Sequence, residues 1–308
     1  MKQNPSVLIC HHGDADGIVS AMVCKSQLQK QLDNPSFQYL TFFYGMPEDL
    51  DALKAFDILY LVDASFSAET MNALYEFYKD NFVWIDHHIS AINRLSKENS
   101  FIEGIRSVND SACKLCFRFF VGRKEPLPVI VDLIDKWDMH RIESSDFQSM
   151  VIPANLIFAQ FCTDIPQLEN LDLLTTEGAK SAISSLGSIL KTSNDKRIAK
   201  ESKAVFVSHT IHKYVLAMLN SRVHSSEAID FALKNNETFP TVDASLVFSI
   251  FRNEKAETMV RCSIYRIDGS KNSFNCSTFA ESYGGGGHVS AAGFNIPLSS
   301  FEHDFLNK

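Results

Sequence analysis

The sequence lacks a basic surplus: Lys and Arg number 29 against 37 Asp and Glu, a formal net charge of −8 at neutral pH. With a pI near 5.7, wholesale electrostatic binding of long duplex nucleic acid is excluded. A small phosphorylated substrate stays open, provided metal ions or local basic residues offset its charge. No run of 18 apolar residues occurs, so no membrane span is expected. Met1–Pro5 is polar and the apolar run Val7–Cys10 is too brief for a secretory segment, while Phe301–Lys308 carries no lipidation pattern, so neither leader nor anchor is expected. Cysteine is sparse, seven residues scattered without framework spacing, which reads as reduced thiols in a cytoplasm. Low-complexity segments and internal repeats are missing too. What remains, 45% hydrophobic and 21% charged over 308 residues, is a folded chain of two domains.

The first half alternates compact β-branched or aromatic runs (Ser6–Cys10, Phe37–Phe43, Ile58–Val62, Phe82–Ile85) with helical spacing over Ile18–Gln31 and Ala68–Tyr78. Ser67 or Ser65 could cap the second helix. Alternation of this kind predicts an α/β fold, a mostly parallel sheet with helices on both faces. Helices are expected over Ser111–Val121 and Pro128–Trp137, and the stretch from there to about Leu174 carries no clear pattern. The N-terminal domain is expected over 1–175, a polar helical connector over 176–204, and a smaller C-terminal α/β domain over 205–308. In that last domain Tyr214–Leu219 reads as a strand and Ser225–Lys234 as a helix. Ser245–Phe251 and Met259–Ile267 form a hairpin around Asn253–Glu257, Cys276–Tyr283 is a short helix, and Ala291–Ile296 a closing strand.

Ligands of open α/β sheets bind beyond the carboxyl ends of the strands, and the acidic and histidine clusters fall there. His11-His12-Gly13-Asp14-Ala15-Asp16-Gly17 follows the first strand. Its carboxylates and imidazole suit Mn²⁺ or Mg²⁺, with Zn²⁺ or Fe²⁺ admitted by the histidine; alternatively it is an Asp-Gly turn with a helix cap. Asp63 ends the third strand, as a cap for the next helix or as an inward ligand. Asp86-His87-His88 follows the fourth strand, and Asp135-Lys136-Trp137-Asp138 lies at a helix end. If the fold is as read, Asp14, Asp16, Asp63, Asp86 and Asp138 converge, and crowded carboxylates must be neutralised. No Lys or Arg sits beside the first three clusters. Two metals roughly 3.5–4 Å apart are the simplest neutraliser, and such a pair serves in-line attack at phosphorus.

Gly284-Gly285-Gly286-Gly287-His288 lies between a helix and a strand, where glycine N–H groups could close on an anion as a nest. Arg266 is the nearest guanidinium for a phosphate. Cys113 and Cys116 form a C-x-x-C, but their apolar neighbours place them on a buried helix face. His140, His209, His212, His224 and His303 have no partner pattern.

His12–Gly17, Asp63, Asp86-His87-His88 and Asp138 resemble the four ordered motifs of the DHH phosphoesterases, and Gly284–His288 with Ala291-Ala292-Gly293-Phe294 resembles the glycine-rich motif of their DHHA1 domain. Tyr44–Leu50, and Ser111-Ala112 heading a helix, resemble the branch of oligoribonucleases and cyclic-nucleotide phosphodiesterases. The resemblance implies two divalent ions, Mn²⁺ ahead of Mg²⁺: His12, Asp14 and Asp63 around one, Asp16, Asp63, His87 and Asp138 around the other. It implies that Asp63 bridges, that Asp86 orients the histidines, and that His88 touches the scissile phosphate. It implies substrate contacts from Arg266, Gly285, Gly286, Gly287 and His288. Two choices stay open, His11 against His12 and Asp135 against Asp138. The implied activity is hydrolysis of short oligoribonucleotides or of cyclic and linear dinucleotides by two-metal-activated water. The alternatives are a pyrophosphatase or exopolyphosphatase on the same fold, and a nucleotide-binding protein without catalysis. A short nucleotidic partner is expected, with neither long duplex nor membrane; a homodimer is admitted.

Overall fold

The computed structural model describes residues 3–43, 46–95, 102–160, 171–222, 226–236, 239–267 and 274–306. Tyr44, Gly45, His224 and Ser225 lie outside the described residues. The chain divides into two compact units, Met1–Lys191 and Thr192–Lys308.

In the first unit the four apolar runs become β1 (Ser6–His12), β2 (Ser36–Phe42), β3 (Ile58–Val62) and β4 (Phe82–Ile85). They pair in parallel in the order β2-β1-β3-β4. Among them run α1 (Ala15–Gln31), α2 (Leu50–Leu53), α3 (Ala68–Tyr78), α4 (Ile89–Leu95), α5 (Ala112–Val121), α6 (Val129–Asp138) and α7 (Ile152–Gln160). The side-chain period of two sends Val7 and Ile9 of β1 into one core and Leu8 and Cys10 into another. The first core takes Ile18, Leu115 and Ile134 from α1, α5 and α6; the second takes Met71, Leu74 and Ala91 from α3 and α4. Both faces are thus covered, as a parallel sheet requires. His11 stands beside Val62, and Val62 beside Ile85. The three strands therefore end level, and the chain leaves each of them at one edge.

The helical stretch expected as a connector is Thr176–Ala182, then Ser188–Glu201. Its first part sends Ala179, Ala182 and Ile183 into the first unit's core, so that part belongs to the unit itself. The division into units falls within the helix Ser188–Glu201.

The second unit holds a six-stranded mixed sheet in the order β5-β6-β7-β8-β10-β9. The strands are β5 (Phe206–Ile211), β6 (Tyr214–Asn220), β7 (Ala244–Arg252), β8 (Thr258–Arg266), β9 (Gly286–Gly287) and β10 (Ala291–Pro297). β6 and β7 are parallel, joined through the helix Glu227–Asn235, and the other neighbours are antiparallel. Sequence patterning missed β5, an edge strand whose half-exposed residues show little apolar alternation.

One glycine sets the turn from β1 into α1. A Cβ at Gly17 would stand 2.2 Å from the His12 carbonyl oxygen and 2.8 Å from its carbon and nitrogen. These are backbone atoms of a central strand and cannot swing aside. Gly17→Ala is therefore expected to lower stability by about 1–3 kcal/mol. The measurement is a urea titration, where the midpoint should fall with an unchanged slope; a wild-type midpoint would contradict the packing.

Candidate metal centre

His12 closes β1, and Asp14 caps α1, its Oδ1 accepting from the Gly17 N–H at 3.0 Å. The other oxygen of Asp14 lies 2.8 Å from His12 Nδ1. Cap and cluster are the same carboxylate, so the two readings of this motif hold together. Asp16, buried in the first turn of α1, accepts from the N–H groups of Ala112 at 2.7 Å and Cys113 at 2.8 Å, at the head of α5. That changes one expectation. Metal ions are not the sole relief for this carboxylate, because the positive end of a helix offsets part of its charge.

Asp63 leaves β3 at φ 56°, in the left-handed region. It is 1% exposed, and neither carboxylate oxygen receives a hydrogen bond. It does not cap α3: Ser67 does, its hydroxyl accepting from the Thr70 N–H at 3.3 Å. Asp86, fully buried after β4, accepts through Oδ1 from the N–H groups of His87 at 2.8 Å and His88 at 3.1 Å, and from His88 Nδ1 at 2.8 Å. It therefore orients the ring of His88 only; for His87 it fixes the backbone. His87 Nε2 lies 3.3 Å from Asp63 Oδ1, 3.5 Å from Asp138 Oδ2 and 3.7 Å from Asp16 Oδ2. Asp138 ends α6, and its Oδ2 is buried without a hydrogen-bond partner.

Among the described residues, donor atoms thus gather in three groups, each with its atoms within 4.8 Å of one another: His12, Asp14 and Asp63; Asp16, His87 and Asp138; Asp63, His87 and His88. The electrostatics follow from the crowding. Burial, then the charges of Asp16, Asp14, Asp138 and Asp86, push Asp63 well above the ordinary aspartate range. Burial and neighbouring carboxylates also raise Asp138, and burial raises Asp16 against its helix N–H bonds. Burial lowers His87. Burial works the same way on His88, but its bond to Asp86 and that carboxylate's charge carry it above the ordinary imidazole value.

The two open choices separate on geometry. His11 is buried within the strand pairing, its Nδ1 2.7 Å from the His12 carbonyl and its Nε2 3.4 Å from Thr41 Oγ1. It belongs to none of the three donor groups; His12 does. Asp135 is saturated, accepting from the Ser111 N–H at 3.0 Å and Lys114 Nζ at 3.1 Å, with the Arg141 guanidinium at 3.3 Å.

Residues 6–135 match the DHH family, N-terminal domain. The chain carries a DHH domain. The matched span holds His12, Asp14, Asp16, Asp63 and Asp86-His87-His88 and ends before Asp138. Among solved structures, the fold resembles the pGpG-specific phosphodiesterase PggH from Vibrio cholerae, at 15% identity and TM-score 0.50, over 97% of this chain and 95% of that one. The DHH domain of a protein described as a member of a ribosomal-protein family matches at 13% identity and TM-score 0.66, over 97% and 84%. RecJ from Thermus thermophilus, in complex with Mn²⁺, matches at 13% and TM-score 0.53, over 97% of this chain but 51% of its own. At these identities the likeness is one of fold. No curated protein sequence matches the chain.

Residues missed at the sequence level also serve the DHH domain. The N–H groups of Ala112 and Cys113 hold Asp16, and Asp135 ties the head of α5 to α6; the signal available was a helix beginning at Ser111. In the second unit, the anion nest expected of the glycine run is not formed by most of its N–H groups. Gly284 donates to Glu281 O at 3.0 Å and Gly285 to Ala280 O at 2.9 Å, finishing the helix Cys276–Glu281. Gly286 and Gly287 pair with Gly293 and Ala292 as β9, and the His288 N–H donates to Ala291 O at 2.7 Å. Glycine is required by proximity: a Cβ at Gly285 would stand 2.1 Å from the Gly293 carbonyl oxygen. Arg266 does meet this segment, its N–H donating to Ser290 O at 2.9 Å.

Asp135→Asn should leave Lys114 and Arg141 with Asp110 as their remaining counter-charge around a buried amide. With Arg141 partly in solvent, the expected loss is about 1–3 kcal/mol. Thermal unfolding measures it, and an unchanged midpoint would show that the clamp adds nothing.

Proposed function

We propose that this chain is a metal-dependent phosphodiesterase that hydrolyses short oligoribonucleotides or dinucleotides, cyclic or linear, through two-metal-activated water. The observation that carries this reading is Asp63, a buried carboxylate with two unserved oxygens at the junction of the donor groups. Buried carboxylates without donors are costly, and hard oxygen donors joined by imidazoles suit Mn²⁺ ahead of Mg²⁺. In this reading His12, Asp14 and Asp63 hold one ion, and Asp16, Asp63, His87 and Asp138 the other. Bound there, two divalent ions supply Lewis acidity toward a phosphoryl group and an acidified water.

The chain's own groups do the rest. Asp86 accepts the Nδ1–H of His88 and so fixes a tautomer in which Nε2 is aimed elsewhere than at Asp86. With its pKa raised, His88 serves as donor to a phosphoryl oxygen and to the departing ribose oxygen. Arg266, exposed at the end of β8 beside the His288 turn, offers a guanidinium to a terminal phosphate. Gly286, Gly287 and His288 are taken as the rest of that contact surface. The net charge of −8 favours a short ligand over a long polyanion. A dinucleotide is further supported by PggH, whose fold this chain matches over nearly the whole length of both. The described cysteines Cys10, Cys24, Cys113, Cys116, Cys262 and Cys276 are free and buried, which supports a reducing, cytoplasmic setting.

The deciding experiment is a panel in Mn²⁺: a linear dinucleotide, short RNAs of graded length, a cyclic dinucleotide and pyrophosphate. Turnover of the dinucleotide, stopped by chelation, is the expected result. Turnover of pyrophosphate alone would assign the phosphoanhydride alternative.

Asp63→Asn tests the junction. The amide tolerates the left-handed backbone and removes a like charge from the cluster. We expect kcat to fall at least about a hundredfold while the metal-free protein gains about 1–2 kcal/mol of stability. The rise in Tm on adding Mn²⁺ to wild type should disappear in the variant. Near-wild-type turnover would refute the two-metal assignment.

A further inference from the structure

Phe43 follows β2 and is 45% exposed, with Met46 beside it at 41%. Single exposed apolar residues are ordinary. Two together at the rim of a buried cluster of carboxylates and imidazoles are not. The Phe43 ring lies over the loop that carries the first donor group. Its Cζ and Cε1 take the place a Cβ of Gly13 would need, 2.2 and 2.4 Å from that position. Gly13 stands between His12 and Asp14, and the Phe43 ring centroid is 5.9 Å from that of His12, steeply tilted at 69°.

Hydrogen bonds hold Phe43 to Met46. The Met46 N–H donates to the Phe43 carbonyl at 3.0 Å, and the Phe43 N–H lies 3.3 Å from Met46 Sδ. Beyond it, the Glu48 carboxylate accepts from the N–H and hydroxyl of Ser67, at 2.9 and 2.8 Å, at the head of α3. An apolar aromatic surface is thus fixed within one ring's reach of His12, and nothing about phosphate chemistry asks for it. A nucleobase does, because a π-face stacks on any base without regard to sequence.

Building on the phosphodiesterase reading, we propose that Phe43 is a nucleobase platform, stacking the base of the nucleotide whose phosphate lies against His12, Asp14 and Asp63. Met46 extends the surface as a polarizable edge. The site then prefers nucleosidic phosphodiesters over base-less ones, and Gly13 is glycine because the platform passes above it.

The test compares wild type, Phe43→Ala and Phe43→Tyr on a linear dinucleotide and on the same dinucleotide with one base removed. Phe43→Ala should raise KM for the intact dinucleotide about tenfold with kcat within about twofold, and Phe43→Tyr should restore wild-type KM. On the abasic analogue wild type should itself show the raised KM, and the ratio of variant to wild type should shrink below about threefold. A KM increase equal on both substrates, or a fall in kcat alone, would overturn the platform and leave the ring as a support for Gly13. If wild type hydrolyses the dinucleotide and Phe43→Ala matches it, the platform alone fails. If wild type hydrolyses neither, the phosphodiesterase reading fails and takes the platform with it.

Discussion

Carboxylates gathered at one end of a parallel sheet repel one another, and the first unit is arranged around that repulsion. It is relieved unevenly. Asp16 receives two N–H groups from the head of α5, Asp14 has the imidazole of His12, and Asp86 is spent on the turn that follows it. Asp63 is buried with no hydrogen bond to either oxygen, and the His87 imidazole stands 3.3 Å from its Oδ1. Folding therefore accepts at both oxygens of Asp63 a cost that it meets at only one oxygen each of Asp86 and Asp138. Such a cost persists where the surroundings over-determine the position, and the level ends of β1, β3 and β4 do that here.

Most of the fold is legible because two periodicities are enforced. Strands buried on both faces must be continuous apolar runs, so Ile58–Val62 and Phe82–Ile85 are recovered to the residue. Elements without a face to bury were lost: β5 lies at an edge, and α2 is a single turn. The site is legible as far as chain order reaches. Each cluster follows a strand, and parallel strands leave at one edge, so His12, Asp63 and Asp86 had to meet. Long-range pairing stayed hidden. Asp135 and Asp138 lie about one turn apart on α6, and only the positions of Ser111, Lys114 and Arg141 show which is occupied. Likewise His11 and His12 are neighbours, and the strand register alone turns one inward.

Asp135 and Asp138 together supply a criterion stronger than residue type. Asp135 has both oxygens served by an N–H group and by cations, whereas Asp138 keeps a buried oxygen with no donor. By that measure Asp135 is a clamp, and its clamping has reach. It fixes the head of α5, whose N–H groups hold Asp16, and it sits on the helix that ends in Asp138. Two members of the second donor group thus hang on one saturated acid that is not itself a member.

The same criterion redistributes the chemistry of the second unit. Four glycines before a histidine invite the reading of a backbone cradle, but their N–H groups are largely committed to a helix end and a strand pair. What proximity demands there is the lack of Cβ atoms, so that β9 can lie against β10. An anion at this turn would then be met by side chains. Arg266 is the one the strand register carries to the turn, since its N–H holds Ser290 while its exposed guanidinium stays outside the pairing. A guanidinium on a strand end reads a terminal phosphate by charge and shape, whereas a closed backbone nest would have fixed its position by geometry. The two devices differ in consequence: a side chain on a flexible stem tolerates more placements of its ligand than a closed backbone nest does.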